Sequence, residues 1–245
     1  MLPLERRNHI LEILKSKQAA TVDELCAVLY SSGATIRRDL NILENNGLIR
    51  RTHGGAVHIE NTSRDFPLSL RENENLSAKE ILAQKALPYV KDGMTLFMDS
   101  SSTTYHLARR LNAFHNLRVI TNGLKTASIL SEMSGVAVYG TGGRLRANAM
   151  SFVGNQAMDF VRQFNADIAF ISCRGIDPEV GITDSDENEA NLKRIYIQNT
   201  KNVILLCDNS KLGKRYFCKV APIEGVRKII TNGQLPKEFL PKQEL

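Results

Sequence analysis

Two rhythms of apolar residues run along this chain. In the first sixty positions they recur every three or four residues, the period of a helix that buries one face. From Met94 onward they arrive as short unbroken runs with helical stretches between them. "RRNHILEILK" (6–15) puts Ile10, Leu11 and Leu14 on one face of a first helix. "TVDELCAVL" opens on Thr21 with Glu24 three residues later, a capping box that starts a second helix. "YSSG" turns the chain, and Ser32 is a good N-cap for a third helix from Gly33 to Asn46, ended by Asn46-Gly47. "LIRRTHGGAVHI" then alternates as two short strands around a Gly-Gly turn. Three helices and a hairpin predict a winged helix-turn-helix over residues 1–58.

Residues 60–75 are polar, contain a proline and carry no sustained periodicity, which predicts a linker over 59–76. Ser77 and Glu80 form a second capping box before "ILAQKALPYV", the helix that opens a second domain over 77–245. The later apolar runs are "MTLFMD", "LRVITN", "VAVYGTGG", "DIAFISC", "VILLCD" and "RKIITN". Between them stand "TTYHLARRL", "KTASILSEM", "VGNQAMDFVRQF" and "ENEANLKRIYIQNT", all of helical pattern. Such alternation predicts an α/β domain with a mostly parallel sheet covered on both faces.

Composition changes this picture little. A hydrophobic share of 42% and a charged share of 24% are ordinary for a globular protein that buries a core. The net charge of +6 favours an anionic partner without naming one. Residues 1–60 hold eight Lys/Arg against seven Asp/Glu, so any nucleic-acid argument rests on where the charges stand. Cys26, Cys173, Cys207 and Cys218 form no C-x-x-C pair and lie in or beside apolar runs, as buried free thiols do. No signal-like stretch and no run near the ~18 residues of a membrane span is present, so the expectation is a cytoplasmic protein with no metal, cofactor or membrane partner.

Placement gives the charges a meaning. On a helical wheel Ile36, Leu40 and Leu43 face inward, while Arg37, Arg38, Asn41 and Asn45 face outward, with Thr35 near the helix start. The second helix of a helix-turn-helix enters the major groove, where Arg reads guanine and Asn reads adenine through paired hydrogen bonds. Arg50 and Arg51 lie on the wing, where neighbouring side chains point to opposite faces, so one of the two reaches the phosphate backbone directly. Ser32 at the cap, and His53 and Gly54 at the hairpin tip, complete the candidate DNA-binding set. A plainer reading stands beside it: outward arginines are commonly just solvated, and Asp39 or Glu44 could pair with Arg37, Arg38 or Arg51.

In the second domain "MDSSSTTYHLARRL" is a strand, a run of small hydroxyl residues and a helix, a turn whose backbone N–H groups suit an anion. Asn122, Gly143 with Arg144, and Lys211 stand at three further strand ends. In an open parallel sheet those ends line one crevice. Hydroxyls, glycine turns and two cations converging there suit a phosphate monoester on a polyol. Each alone could be an ordinary loop.

The stretch "TIRRDLNILENNGLIRRTHGGAV", preceded by "TVDELCAVL", closely resembles the N-terminal signature of the DeoR family of bacterial transcriptional regulators, with its Thr-Ile-Arg-Arg-Asp-Leu core intact at Thr35–Leu40. One departure is Ser31, where the family usually has a valine packed between the two helices. The resemblance implies a C-terminal domain similar to ribose-5-phosphate isomerase and glucosamine-6-phosphate deaminase that senses a phosphorylated sugar. It implies that Asp99, Ser100, Ser101, Ser102, Thr103 and Thr104 hold phosphate or hydroxyl groups, with Lys211 as the phosphate cation. It further implies that "GITDSDENEANLKR" forms a lid or wall bringing Asp184, Glu189 and Lys193 near the sugar. The function implied is repression of a carbohydrate-metabolism operon by a dimer or tetramer on double-stranded operator DNA, relieved by the sugar phosphate.

The competing reading is a sugar-phosphate isomerase or deaminase with a DNA-binding extension, which needs a carboxylate base. Aligned through Ile-Asp-Pro, the isomerase's acidic positions fall here on Ile171, Arg174 and Gly175. Asp177 remains, but one carboxylate in a turn is more often a cap. The sequence therefore favours a binding domain over an enzyme. A purely architectural DNA-binding protein is disfavoured too, since it has no use for polar residues at so many strand ends.

Overall fold

The computed structural model describes residues 1–46, 48–58 and 67–240, so the part of the linker reading that covers 59–66 lies outside the described residues. The chain divides into two compact units, Met1–Glu74 and Asn75–Leu245.

The first unit runs α1 (Pro3–Lys17), β1 (Ala19–Thr21), α2 (Val22–Leu29), α3 (Gly33–Asn45), β2 (Ile49–Thr52), β3 (Gly55–His58) and α4 (Leu68–Asn73). The capping box forms as predicted, with Thr21 N donating to Glu24 Oε2 at 2.7 Å and Glu24 N to Thr21 Oγ1 at 3.2 Å. Ile10, Leu14, Leu25, Ile36, Leu40 and Leu43 are fully buried in one core. The wing has three strands rather than the predicted two, because β1 pairs antiparallel with β3. Three residues carry too little periodicity to announce a strand. Its presence explains Gly55, where a Cβ would lie 2.1 Å from the Ala20 carbonyl oxygen.

A helix also stands where a featureless linker was predicted. In α4 Leu68 and Leu70 are buried, and Leu70 joins the first unit's core. Lys15 Nζ and Glu74 Oε1, 2.5 Å apart, form an exposed ion pair at its end. Two leucines in six residues bury one face without giving a visible period.

The second unit runs α5 (Leu76–Ala86), β4 (Thr95–Met98), α6 (Ser102–Ala108), β5 (Leu117–Thr121), α7 (Leu124–Ser131), β6 (Val136–Gly140), β7 (Arg144–Arg146), β8 (Ser151–Val153), α8 (Asn155–Arg162), β9 (Ile168–Ser172), β10 (Gly175–Asp177), β11 (Gly181–Asp184), α9 (Glu187–Gln198), β12 (Val203–Leu206), β13 (Cys218–Ala221) and β14 (Lys228–Ile230). The six predicted strands form one parallel sheet in the order β14-β12-β9-β4-β5-β6. Alternate residues feed two cores. Phe97, Ile120, Ala169, Ile171, Val203 and Leu205 pack with α8 and α9, while Leu96, Met98, Val119, Phe170, Ile204 and Leu206 pack with α5, α6 and α7. Burial on both faces is why these strands read as unbroken apolar runs.

The predicted Ser77–Glu80 capping box does not form. Helix α5 begins at Leu76 behind Asn75, which adopts a left-handed conformation and makes no side-chain cap bond. Glu80 instead reaches α6 and the residues after it, accepting from Arg110 and lying 2.9 Å from His106 Nδ1. Two small sheets were not predicted: the hairpin β7–β8, and β10-β11-β13.

Candidate functional site

The candidate reader face is built by the capped start of α3. Ser32 Oγ accepts from Thr35 N at 3.3 Å and lies 2.9 Å from Thr35 Oγ1. Arg37 and Arg38 are exposed, with the Arg37 guanidinium beside Gly33 at the helix start. Neither has a carboxylate partner among the described residues. Asp39 is buried and paired with Arg6 of α1, Nε to Oδ2 at 2.6 Å, so it ties two helices together instead of neutralising the reading face. Arg51 turns back to α3, its Nη1 donating to Asn41 Oδ1 at 2.5 Å and its N–H to Glu44 Oε1 at 2.9 Å. Arg50 is exposed and is the outward member of the wing pair, while His53 and Gly54 are exposed at the turn. Ser31 replaces the family's valine packing with a local bond, its hydroxyl donating to the Leu29 carbonyl at 3.0 Å.

In the second unit the strand order reverses direction between β4 and β9, and at such a switch point the loops separate and leave a crevice. Asp99 and Ser172 stand there. Asp99 Oδ1 accepts from Thr104 Oγ1 (2.8 Å) and Ser101 N (3.1 Å), and Oδ2 accepts from Ser172 N (2.8 Å). On α9, Glu189, Lys193 and Tyr196 recur on one face and point at the same place. Glu189 accepts from Ser100 Oγ (2.9 Å), Asn122 Nδ2 (3.2 Å), Arg146 Nη1 (3.0 Å) and the Ser151 hydroxyl. Lys193 pairs with Asp184 and lies 3.5 Å from Asp99 Oδ2. Tyr196 OH donates to Asn122 Oδ1 at 3.3 Å.

The charge states of Lys193, Asp184 and Tyr196 are set by their neighbours. Burial alone would push the Lys193 ammonium down, but Asp184, Asp99 and Glu189 outweigh it and raise it above its ordinary range. Burial pushes the Asp184 carboxyl up, and the Lys193 charge and hydrogen bond, with Arg174 and the Ser185 N–H, bring it below the usual carboxylate range. Burial and the carboxylates Asp99 and Glu189 push the Tyr196 phenol well up. A protonated lysine and carboxylates filled with donors can exchange partners with hydroxyl groups. They offer neither a nucleophilic amine nor a free base.

Several expectations are corrected. Arg144 does not converge on this site. Gly142 and Gly143 turn the chain in left-handed conformations, φ 64° and 101°, which leaves Arg144 exposed at the open end of β7. Gly143 has no room for a Cβ, which would lie 2.8 Å from the Val153 carbonyl. Two residues on, Arg146 reaches Glu189, and its Nη2 lies 3.2 Å from Asp186. The stretch "GITDSDENEANLKR" is a wall rather than a lid, because β11 and the inner face of α9 are buried. The hydroxyl run is partly spent on structure: Ser101 caps α6 through Thr104 N (3.1 Å), and Thr104 serves Asp99. Ser100, Ser102 and Thr103 are buried beside it. Lys211 lies with Ser172 (3.0 Å) and Asp208 (3.5 Å), a short distance along the same rim. Cys173, Cys207 and Cys218 are buried as expected, whereas Cys26 is only half-buried.

Sequence reasoning missed Arg146, Ser151, Ser172 and Tyr196. The first two sit on a hairpin too short to show alternation. Tyr196 carried a signal, its seven-residue spacing from Glu189. The isomerase's acidic positions are not recreated. Ile171 is core, Gly175 starts β10 where a Cβ would lie 2.3 Å from the Lys214 carbonyl, and Asp177 caps a turn by accepting from Glu179 N (2.9 Å) and Val180 N (3.0 Å).

An arginine-bearing winged helix joined to an α/β unit with a polar crevice defines a DNA-binding regulator with a sensing domain. The model of the DeoR-like helix-turn-helix domain matches residues 6–62, and that of the DeoR C-terminal sensor domain matches residues 74–233. The chain belongs to the DeoR family of transcriptional regulators. It is 34% identical to the HTH-type transcriptional regulator GolR of Listeria innocua over 99% of this chain and 95% of that one. It is 32% identical to the glycerol-3-phosphate regulon repressor of Escherichia coli over 96% and 93%. Among solved structures it is similar to ribose 5-phosphate isomerase from Plasmodium falciparum (17% identity, TM-score 0.41, 56% of this chain and 52% of that one). A likeness of that degree says nothing about activity, and this chain is a transcriptional regulator rather than an isomerase. Among the described residues no helix is long and apolar enough to cross a membrane.

Proposed function

We propose that this regulator represses a carbohydrate operon and releases its DNA when a phosphorylated sugar enters the β4/β9 crevice. The observation that carries the reading is the buried network of Asp99, Asn122, Asp184, Glu189 and Lys193 at the switch point, a set of paired donors and acceptors suited to a polyol's hydroxyls. The effector's phosphate lies toward Lys211, with Ser100, Ser102 and Thr103 as neighbouring hydroxyls. The relatives support this choice of ligand class: one is named for the glycerol-3-phosphate regulon and another for the aga operon. On the DNA side Arg37, Arg38 and Asn41 read base edges, and Arg50, with His53 and Gly54 at the wing tip, follows the phosphate backbone. Ser32 and Thr35 set the start of α3 against the duplex, and Arg51 holds Asn41 in place. Two or four copies act together in the cytoplasm, because one such module makes too few contacts for physiological specificity.

The test is a panel of phosphorylated and unphosphorylated sugars, each measured for thermal stabilisation and for its effect on operator affinity. A ligand at a hundred times its Kd stabilises its domain by about 2.7 kcal/mol. The same ligand should lower operator affinity by roughly 5- to 150-fold. Operator affinity that is identical with and without every sugar phosphate that binds would refute the coupling.

A further inference from the structure

The turn between α2 and α3 holds a residue that the first unit's packing does not use. Tyr30 ends α2 with φ 48° and ψ 46°, its N–H bonded to the Cys26 carbonyl. That left-handed region suits glycine or asparagine, and a bulky side chain held there is strained. The ring is left unburied: Tyr30 is 95% exposed, and among the described residues its hydroxyl makes no hydrogen bond. Strain kept for an unburied side chain points to a partner outside the protein.

The position says which partner. Tyr30 lies two residues before Ser32, the cap of α3, and the exposed Arg37 and Arg38 follow within the next two turns. In a helix-turn-helix the first helix crosses the sugar-phosphate backbone and the second enters the groove, so the turn between them lies against the duplex. Building on the reader face assigned above, we propose that Tyr30 is a DNA-backbone contact. Its hydroxyl donates to a phosphate oxygen and its ring lies along the adjoining sugar, which fixes how α3 sits in the groove. Such a contact sets position and carries no sequence information.

The experiment uses the full chain, a duplex enriched by the wild-type protein from a random-sequence pool, and a duplex of unrelated sequence. Tyr30→Phe removes only the hydroxyl and should weaken binding to both duplexes about five- to tenfold. Tyr30→Asn removes the ring as well but accepts the left-handed conformation. It should bind more weakly still while melting a few degrees higher. The slope of affinity against salt should not change in either variant, because no charge is lost.

Wild-type affinity in both variants overturns the proposal. So does a loss of affinity that follows a lowered Tm in Tyr30→Asn, or one confined to the enriched duplex. A change in self-association with DNA binding intact overturns it too, and assigns the ring to a second copy of the chain. Arg38→Ala, run alongside, separates the two levels: if it also binds normally, the reader face is wrong, and if it alone fails to bind, only the role of Tyr30 is wrong.

Discussion

The two units treat charge in opposite ways. On the reader, Arg37, Arg38 and Arg50 stand exposed, and the nearby carboxylates are turned elsewhere, Asp39 to Arg6 and Glu44 to the Arg51 backbone. In the sensor, Asp99, Asp184, Glu189 and Lys193 are all buried and each is bonded to the others or to hydroxyls. An exposed cation adds little to folding and is free to act on a partner. A buried pair is part of the fold, and removing one member strands the other. Charge and stability therefore separate in the reader, where the arginines are exposed, and are tied together in the sensor, where the charges are buried.

The sharpest way to break that contrast is Lys193→Met. It leaves Asp184 and Asp99 buried without their cation and should cost the sensor about 3–5 kcal/mol, read in a urea titration as an early transition of that unit. A loss under 1 kcal/mol would show that the network relaxes around the gap. Arg38→Ala should do the reverse. Stability should stay within about 0.5 kcal/mol, while operator affinity falls by about 1–3 kcal/mol with relaxed discrimination at one base pair. Arg50→Ala should weaken all duplexes alike and lower the salt slope by about 0.9, measured by titration at several salt concentrations. An unchanged slope would move the phosphate contact to Arg51.

The smallest effect concerns pH. The Asp184 and Asp208 carboxyls are held low. Burial opposes this in both, and Lys193 and Lys211 respectively overcome it, helped for Asp208 by two bonds from Ser210. A folded-state value below the unfolded one means that the unfolded chain binds more protons, so this stability is complete above the ordinary aspartate range and is lost as pH falls through the folded value. Lys193 has the opposite sign: its contribution is complete below its ordinary value and is lost only above it. The sensor's Tm should thus be nearly flat across neutral pH and fall in acid. A steep change between pH 6 and 8 (about the range where histidine titrates) would mean that another group governs the crevice.

The sequence showed most where one physical rule dominates. All six strands of the main sheet were visible because burial on both faces leaves no polar alternation to hide them, and the caps at Thr21 and Ser32 announced their helices. What escaped were features set by distant partners. Strand β1 exists because β3 is there to pair with it. Helix α4 is held by the core it covers. Arg146 rather than Arg144 reaches Glu189 because two left-handed glycines decide where the hairpin begins. The Ser77–Glu80 pattern misled for a related reason, since Glu80 finds a stronger partner in Arg110 than in the backbone of its own helix.

The order of the main sheet has a consequence for how the protein is made. Its central pair joins β4 to β9, Leu96 opposite Ile168, so one edge of β4 stays unpaired until the seven elements between them have been synthesised. Pairings so distant in sequence form slowly, and domains fold as units from the N-terminus during synthesis. The reader, built from neighbouring segments, completes itself first. Each new molecule thus passes through an interval in which it holds a finished DNA-binding unit and a sensor that cannot yet answer to anything.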